Sequence, residues 1–332
     1  MPAIITHDLF AKDIYGETFE SVGGSREAAE AFLLGNQGPD PLFYVAADPR
    51  YREFSQLGST IHQARPAEFI VALKAAVPAL APHERPWARA YVLGFLCHYE
   101  LDRTVHPLVY SQVNALCSAG VEGLGDDARS EVHAVIETEL DELTLTRKRN
   151  ETVASFNPAT AVLKGSPALL RAISSLYVRA VKDAFDLDIP ANLFAAGVRA
   201  QRAAQRVLHS PGGWKRAVLG ATERLVRPHS MLAALSHRAE ERTTTPFANL
   251  DHQPWENPFT GQSSTDDFWD LYETARQHAL DAMAMVDDDG FTAADARALT
   301  NDVNFRGEPV VALIVAVEDV ADAGADTGAP AR

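Results

Sequence analysis

Apolar residues recur every three or four positions along most of this 332-residue chain, which is the periodicity of amphipathic α-helices. The pattern predicts helices at residues 25–34, 66–74, 87–109, 167–185, 190–208 and 214–227, another opening at Asp126 and another ending at Met285. Alternating runs typical of strands are almost absent. We therefore predict an all-α fold, a single multi-helix domain over residues 1–318, followed by a disordered tail at 319–332.

Glycine and proline mark the predicted breaks. Residues 35–41 hold two glycines and two prolines, which forbid a continuing helix and place Asp40 between prolines in a tight loop. Pro107 lies within the long helix at 87–109. Because proline has no N–H to donate, we expect the helix to kink or restart there and to re-aim His106.

Capping signals mark several helix starts. Ser25 is the predicted N-cap of the first of these helices, and Thr292 with Asp295 forms a capping box. Residues 264–267, Ser-Thr-Asp-Asp, predict a capping box for the helix that ends at Met285. They follow a long loop at 243–264, and loops of that length are often functional.

Histidines and acids recur at helical spacing in two of the predicted helices. His98, Asp102 and His106 are each four residues apart, so their side chains climb one face of the long helix. The next helix carries His133 and Glu137, again four residues apart. The three side chains of the first helix are too far apart to bind one ion together, so their spacing suits two neighbouring sites. The pattern predicts a metal cluster in a cleft between helices.

Composition and charge narrow the classes of function. The net charge of −15 argues against a binder of long nucleic acid, which needs a positive stripe. No apolar run reaches the ~18 residues of a membrane span, and residues 1–7 show no secretory signal, so we expect a cytoplasmic protein. Cys97 and Cys117 are expected to be reduced. Cys97 adjoins His98 but points about 100° away around the helix, so we exclude it as a ligand.

Taken together, residues 35–44, residues 57–62, the His98-xxx-Asp102 pair and the His133-xxx-Glu137 pair resemble the bacterial zinc-dependent phospholipase C family, which is related in fold to fungal single-strand nucleases. The resemblance covers residues 1–150, and the helices at 160–305 would support that half. It implies two or three Zn²⁺ ions. The metal ligands that it implies are His7, Asp40, His62, His98, Asp102, His106, His133 and Glu137.

The resemblance also implies how these ligands are shared. Asp102 would bridge two ions, the second of them held also by His7 and the N-terminal residue. The chain starts Met-Pro, whereas well-known members of the family expose a tryptophan amino terminus, so ligation by the amine of Pro2 stays open. His106, His133 and Glu137 would hold the third ion.

The implied activity is hydrolysis of a small phosphate ester by a hydroxide held between two ions, with Asp102 and Asp40 as catalytic residues. Asp40 would act as a base, and Phe43, Tyr44 and Trp255 would form an apolar wall for the substrate. A phospholipid head group or a nucleotide would suit the site, so a nuclease- or nucleotidase-like enzyme is an alternative. A non-catalytic zinc-binding protein is another. The dipeptide His7-Asp8 also raises an HD-type phosphohydrolase, which would need further partners around it.

Overall fold

The computed structural model describes residues 3–225 and 229–310. The predicted tail at 319–332 and the N-terminal residues Met1 and Pro2 lie outside that part, and the domain bounds of 1–318 stay a prediction. The described helices are α1 (Ile4–Val22), α2 (Arg26–Gly35), α3 (Leu57–Gln63), α4 (Pro66–Ala76), α5 (Arg85–Cys117), α6 (Arg129–Arg149), α7 (Pro158–Ala161), α8 (Pro167–Phe185), α9 (Leu193–Leu208), α10 (Trp214–Glu223), α11 (Met231–Ala234), α12 (Phe268–Asp287) and α13 (Ala293–Thr300).

The predicted all-α class is confirmed. The described residues contain one two-stranded antiparallel hairpin, β1 (Trp255–Glu256) with β2 (Ser263–Ser264), inside the predicted long loop. Short 3₁₀ helices occupy Asp40–Ala47 and Pro49–Phe54. None of the described helices combines the length and apolar composition that crossing a membrane requires.

The central element is α5, which makes its most extensive contacts with α2 and α12. It is buried over most of its length, because apolar residues occupy almost its whole circumference between Ala88 and Val109. Cys97 faces Met283 of α12, with Sγ 3.5 Å from Sδ, and both cysteines are free thiols as predicted. Burial of this helix on several sides forces its polar residues to find partners within the protein.

Helix α5 runs unbroken from Arg85 through Pro107 to Cys117, so the helix does not restart at Pro107, which was one of the two outcomes expected there. The carbonyl of Arg103, which proline cannot serve, is covered instead by a neighbouring turn at Gly307. A Cβ atom on Gly307 would lie 2.9 Å from that carbonyl oxygen and 2.5 Å from Cγ of Pro107. Packing of this turn against the proline therefore accompanies the continuous helix.

Two of the three predicted helix caps are confirmed. Ser25 accepts the N–H of Ala28, and Thr292 forms its box with Asp295, as expected. The box predicted at 264–267 begins later: Asp267 is the N-cap of α12. Its partner is Asp270, because only Asp270 stands at the third helical position.

Candidate metal centre

Helix α5 presents His98, Asp102 and His106 on one buried face, as the spacing predicts. Their side chains are at most about 5% exposed. Oδ2 of Asp102 lies 3.4 Å from Nε2 of His98 and 3.9 Å from Nδ1 of His106. The carboxylate of Asp102 therefore stands between the two imidazoles and can serve ions on both sides.

The first of three groups able to hold an ion consists of Asp40, His62 and His98, whose candidate ligand atoms lie within 4.8 Å of one another. Asp40 opens a 3₁₀ helix and His62 belongs to the last turn of α3. Nε2 of His62 is 3.1 Å from Oδ1 of Asp40 and 3.8 Å from Oδ2 of Asp102. Residues distant in the chain thus converge on the face of α5.

The turn before Asp40 depends on Gly38, which has a φ of +50°. A Cβ atom there would lie 2.2 Å from the imidazole of His98. Glycine allows both the left-handed backbone and this close approach. The glycines that predicted a loop here therefore also make room for a candidate ligand.

The second group consists of His7, His98 and Asp102. Nε2 of His7 lies 3.1 Å from Oδ1 of Asp102, and the rings of His7 and His98 stack with centroids 4.3 Å apart. This group shares His98 with the first. We call these two the inner groups.

The third group, which we call the outer group, consists of His106, His133 and Glu137. Oε1 of Glu137 lies 3.2 Å from Nε2 of each of the two histidines. The side chain of His133 is 12% exposed, whereas that of His98 is fully buried. The structure therefore brings together all eight predicted metal ligands, in two inner groups and one outer group.

Backbone carbonyls orient several of these rings. Nδ1 of His62 is 2.7 Å from the carbonyl oxygen of Gly58, and Nδ1 of His98 is 3.1 Å from that of Asn36. A carbonyl oxygen only accepts, so each Nδ1 carries the proton, and in the neutral ring Nε2 keeps its lone pair. Outer-shell hydrogen bonds of this kind orient metal-ligating histidines in proteins.

Several buried atoms of the centre have no hydrogen-bond partner within the described part of the chain. Among them are Nε2 of His98, Oδ2 of Asp102 and Oε2 of Glu137. Leaving such atoms buried and unpaired costs free energy, about 1–3 kcal/mol each or more for charged groups. One imidazole and two carboxylates so placed fit the donor set that divalent first-row metals take.

The electrostatics of the two α5 histidines differ. Burial lowers the pKa of His98 to about 3, and the neighbouring His7 and His62 act in the same direction. Burial would also lower the pKa of His106, but the carboxylates of Asp102 and Glu137 overcome it and raise that pKa to about 9. His98 is therefore neutral near pH 7, whereas His106 holds a proton that an ion must displace.

A cavity of about 610 Å³ opens beside the outer group. Its lining includes His62, His106 and His133 from the centre, and Phe43 and Tyr44 from the predicted apolar wall. The remaining lining residues are Ser59, Gln63, Tyr110, Val113, Arg129, Ser130, Ala134, Met231, Leu235 and Arg306.

Trp255, the third predicted wall residue, is not in this lining; its indole N–H donates to the carbonyl of Asp266. Its part in substrate binding stays a prediction. The loop that carries it nevertheless reaches the edge of the cavity, because Phe259 contacts the ring of Tyr110 with centroids 5.4 Å apart.

The segment after α13 completes the centre, and sequence reasoning missed it. The carbonyl of Phe305 accepts from Nδ1 of His106 at 2.7 Å, and its ring lies 4.8 Å from that of His62. The chain separation of 199 residues between Phe305 and His106 leaves no local pattern to reveal this contact.

His237 is buried, and its Nε2 lies 2.8 Å from Oδ2 of Asp141. The same carboxylate accepts the backbone N–H groups of Ile5 and Thr6 at 3.1 and 2.7 Å. Asp141 thereby caps α1 just before His7, since Ala3 offers no side-chain cap. An acid on α6 thus secures the helix end that positions an inner histidine.

Two other acidic features lie outside the centre. Asp8 pairs with Lys12 at 2.5 Å and belongs to none of the groups found among the described residues, which does not favour the HD-type alternative. His252, Asp267 and Asp270 form a more exposed group. Both of its carboxylates are engaged in capping α12.

The structure establishes a mostly helical protein with buried groups of histidine, aspartate and glutamate that are able to hold metal ions. Comparisons of the chain with family models, curated proteins and solved structures find no match. Function is therefore inferred from the geometry and chemistry of these groups, because fold alone does not define it.

Proposed function

We propose that this protein is a zinc-dependent phosphoesterase that hydrolyses a small phosphate ester in the manner of phospholipase C. The observation that carries the proposal is the convergence of three metal-binding groups, two of them sharing His98, on Asp102 and beside a cavity. Clusters with adjacent ions suit hydrolysis of phosphate esters, because attacking and leaving oxygens both need charge stabilisation. The resemblance to the zinc-dependent phospholipase C family supports the same reading.

Zinc is the proposed metal because the donors are imidazole nitrogens and carboxylate oxygens. The outer group supplies two imidazoles and one carboxylate, and it borders the cavity. Three protein ligands leave a position open to water or substrate, as in catalytic zinc sites. The inner groups contain no exposed ligand, which suits ions that are held more permanently.

When bound, the ions would lower the pKa of water towards 7 and neutralise charge on the phosphate. Asp102 would fix the positions of the histidines around the ions, since its carboxylate oxygens lie within 4.0 Å of Nε2 of His7, His62 and His98. We assign Asp40 a second role as acceptor of the proton of the attacking water. Phe43 and Tyr44 would bind the apolar part of the ester, either lipid glycerol or a nucleotide base.

Elemental analysis and assays test the proposal. The purified protein should contain two or three zinc ions per chain and should hydrolyse bis(p-nitrophenyl) phosphate or p-nitrophenyl phosphate. Asp102→Asn should retain the helical circular dichroism spectrum but lose metal and at least about 100-fold in kcat/KM, more than an outer-shell change would cost. Asp8→Asn is the matched control, because Asp8 is as buried as Asp102 yet pairs with Lys12.

Two results would contradict the proposal. Fewer than one bound ion per chain would remove the metal centre altogether. Full zinc content without turnover of any phosphodiester, phospholipid or nucleotide would favour the alternative, a non-catalytic zinc-binding protein.

A further inference from the structure

The cavity beside the outer group carries positive charge of its own. Apart from the histidines of the centre, its charged lining residues are Arg129 and Arg306, and no aspartate or glutamate occurs in the lining over the described part of the chain. In a chain with a net charge of −15, a cavity wall with two arginines and no acid indicates selection for a negatively charged ligand.

Arg306 is held by a well-connected turn. The side chain of Asn304 accepts the backbone N–H of Arg306 at 2.8 Å and that of Glu308 at 3.2 Å. On the same turn, the N–H of Phe305 donates to the carbonyl of His62 at 3.2 Å. Backbone contacts, not the guanidinium, therefore place this arginine beside the centre.

The guanidinium itself is available for a ligand. It lies over the ring of Tyr110 at 5.8 Å, and the ring of Tyr110 is 5.0 Å from that of His133 in the outer group. No carboxylate of the described residues lies within 4.0 Å of it, whereas Arg129 is 3.4 Å from Asp126 and also bonds Asn114. A planar guanidinium stacked on an aromatic ring is suited to bidentate binding of a carboxylate or phosphate.

We propose that the substrate carries a second anionic group, a carboxylate or a phosphate, and that Arg306 binds it while the ester phosphate lies at the metal centre. This inference rests on the proposed phosphoesterase function and names its substrate class. Arg129, on the same cavity, adds to the positive field. A cationic head group is disfavoured, because the two arginines repel it and the described lining has no acid outside the metal groups to pair with it.

Matched substrate pairs test the inference. Phosphatidylserine differs from phosphatidylethanolamine by a carboxylate on the head group, and ADP differs from AMP by a second phosphate. For ADP, only the release of adenosine together with pyrophosphate is counted, because it reports cleavage of the ester and not of the anhydride. In at least one of these two pairs, the member with the extra anion should have a kcat/KM about 10–100-fold higher than its partner. That factor corresponds to the contribution of one hydrogen bond to a charged group. The pair that shows the preference identifies a lipid or a nucleotide as the source of the anion.

Variants assign the preference to the arginine. Arg306→Gln should reduce the preference at least tenfold, and Arg306→Lys should restore part of it through charge alone. Arg297→Gln, an exposed arginine on α13, is the control and should keep the preference. The fold should survive in Arg306→Gln because the turn is held by its backbone; circular dichroism and zinc content check this.

The outcomes separate this inference from the proposed function. Activity on bis(p-nitrophenyl) phosphate together with equal kcat/KM within both pairs would overturn the inference and leave the phosphoesterase standing. An equal loss in Arg306→Gln on every ester would also overturn it, since the arginine would then act on the reacting phosphate. If no ester is hydrolysed, calorimetric binding of ADP against AMP decides: equal affinity, or affinity unchanged in Arg306→Gln, overturns it.

Discussion

The inner and outer groups both adjoin the carboxylate of Asp102 yet differ in how they meet solvent. The inner groups draw His7, Asp40, His62 and His98 from four separate elements, and these side chains are buried. The outer group draws its candidate ligands from α5 and α6, and two of them line the cavity, whereas His62 alone does so from the inner groups. Ions in the inner groups would tie the N-terminal elements to α5, whereas an ion in the outer group would meet the substrate.

The difference extends to protons. The pKa of His98, lowered to about 3 by burial, leaves a neutral ring ready to bind an ion. In the outer group His106 contacts a carbonyl through Nδ1 and Glu137 through Nε2, an arrangement that suits the doubly protonated ring. An ion that binds His98 would therefore displace no proton near pH 7, whereas an ion that binds His106 would displace one.

The largest expected effect is that of His98→Ala, because His98 belongs to both inner groups. We expect the ions of both inner groups to be lost and the protein to be destabilised by about 3 kcal/mol or more, since one ion at a hundredfold excess over its Kd contributes about 2.7 kcal/mol. Elemental analysis and thermal unfolding measure this. His83→Ala, at an exposed histidine, is the control. Unchanged zinc content in His98→Ala would show that His98 is not a ligand shared by the two inner groups.

Glu137→Gln tests the other side of the comparison. The amide is nearly isosteric but uncharged, so the outer group should lose its ion while both inner groups keep theirs. Activity should fall about 100-fold or more, with little change in unfolding temperature relative to His98→Ala. If zinc content falls to zero, the two kinds of group are not separable in the way their geometry indicates.

What the sequence could predict follows from the range of each interaction. Candidate ligands spaced four residues apart on α5 and α6 are visible as a helical repeat. Local pattern alone therefore predicts His98, Asp102, His106, His133 and Glu137. His7 shows no such repeat and entered only through the resemblance to a family.

Contacts across long separations had no signal at all. Phe305 meets His106 across 199 positions, and His237 meets Asp141 across 96. Pro107 illustrates the same limit: proline disfavours a helix locally, but the turn that packs on it comes from the far end of the described chain. Tertiary packing decided these cases.

A smaller effect is expected from pH, and it should separate the two kinds of group. With the pKa of His106 raised to about 9 by Asp102 and Glu137 against the effect of burial, an ion entering the outer group displaces one proton below that pH. Its apparent affinity should therefore rise about tenfold per pH unit well below that pKa, and about 50-fold from pH 7 to pH 9. Competition with a chelator of known pH dependence measures the apparent affinity for the ion in wild type and in Glu137→Gln. If the affinity rises equally steeply with pH in both proteins, the proton is not released from the outer group.

The smallest effect, and the most selective, is expected of Asp141→Asn. The carboxylate of Asp141 accepts two backbone N–H groups at the start of α1 and also contacts His237. The amide keeps one acceptor oxygen, so stability should fall by about 1.5–3 kcal/mol, and the end of α1 that carries His7 should loosen. Affinity for the ion of the His7 group should then drop about tenfold, while the outer group keeps its affinity for its ion.

Competition titrations that resolve the ions distinguish this selective effect from general destabilisation, in which the affinities of the inner and outer groups for their ions would fall together. A selective loss would show that the inner groups depend on caps far from the ions, a dependence that the outer group, carried by two long helices, does not share.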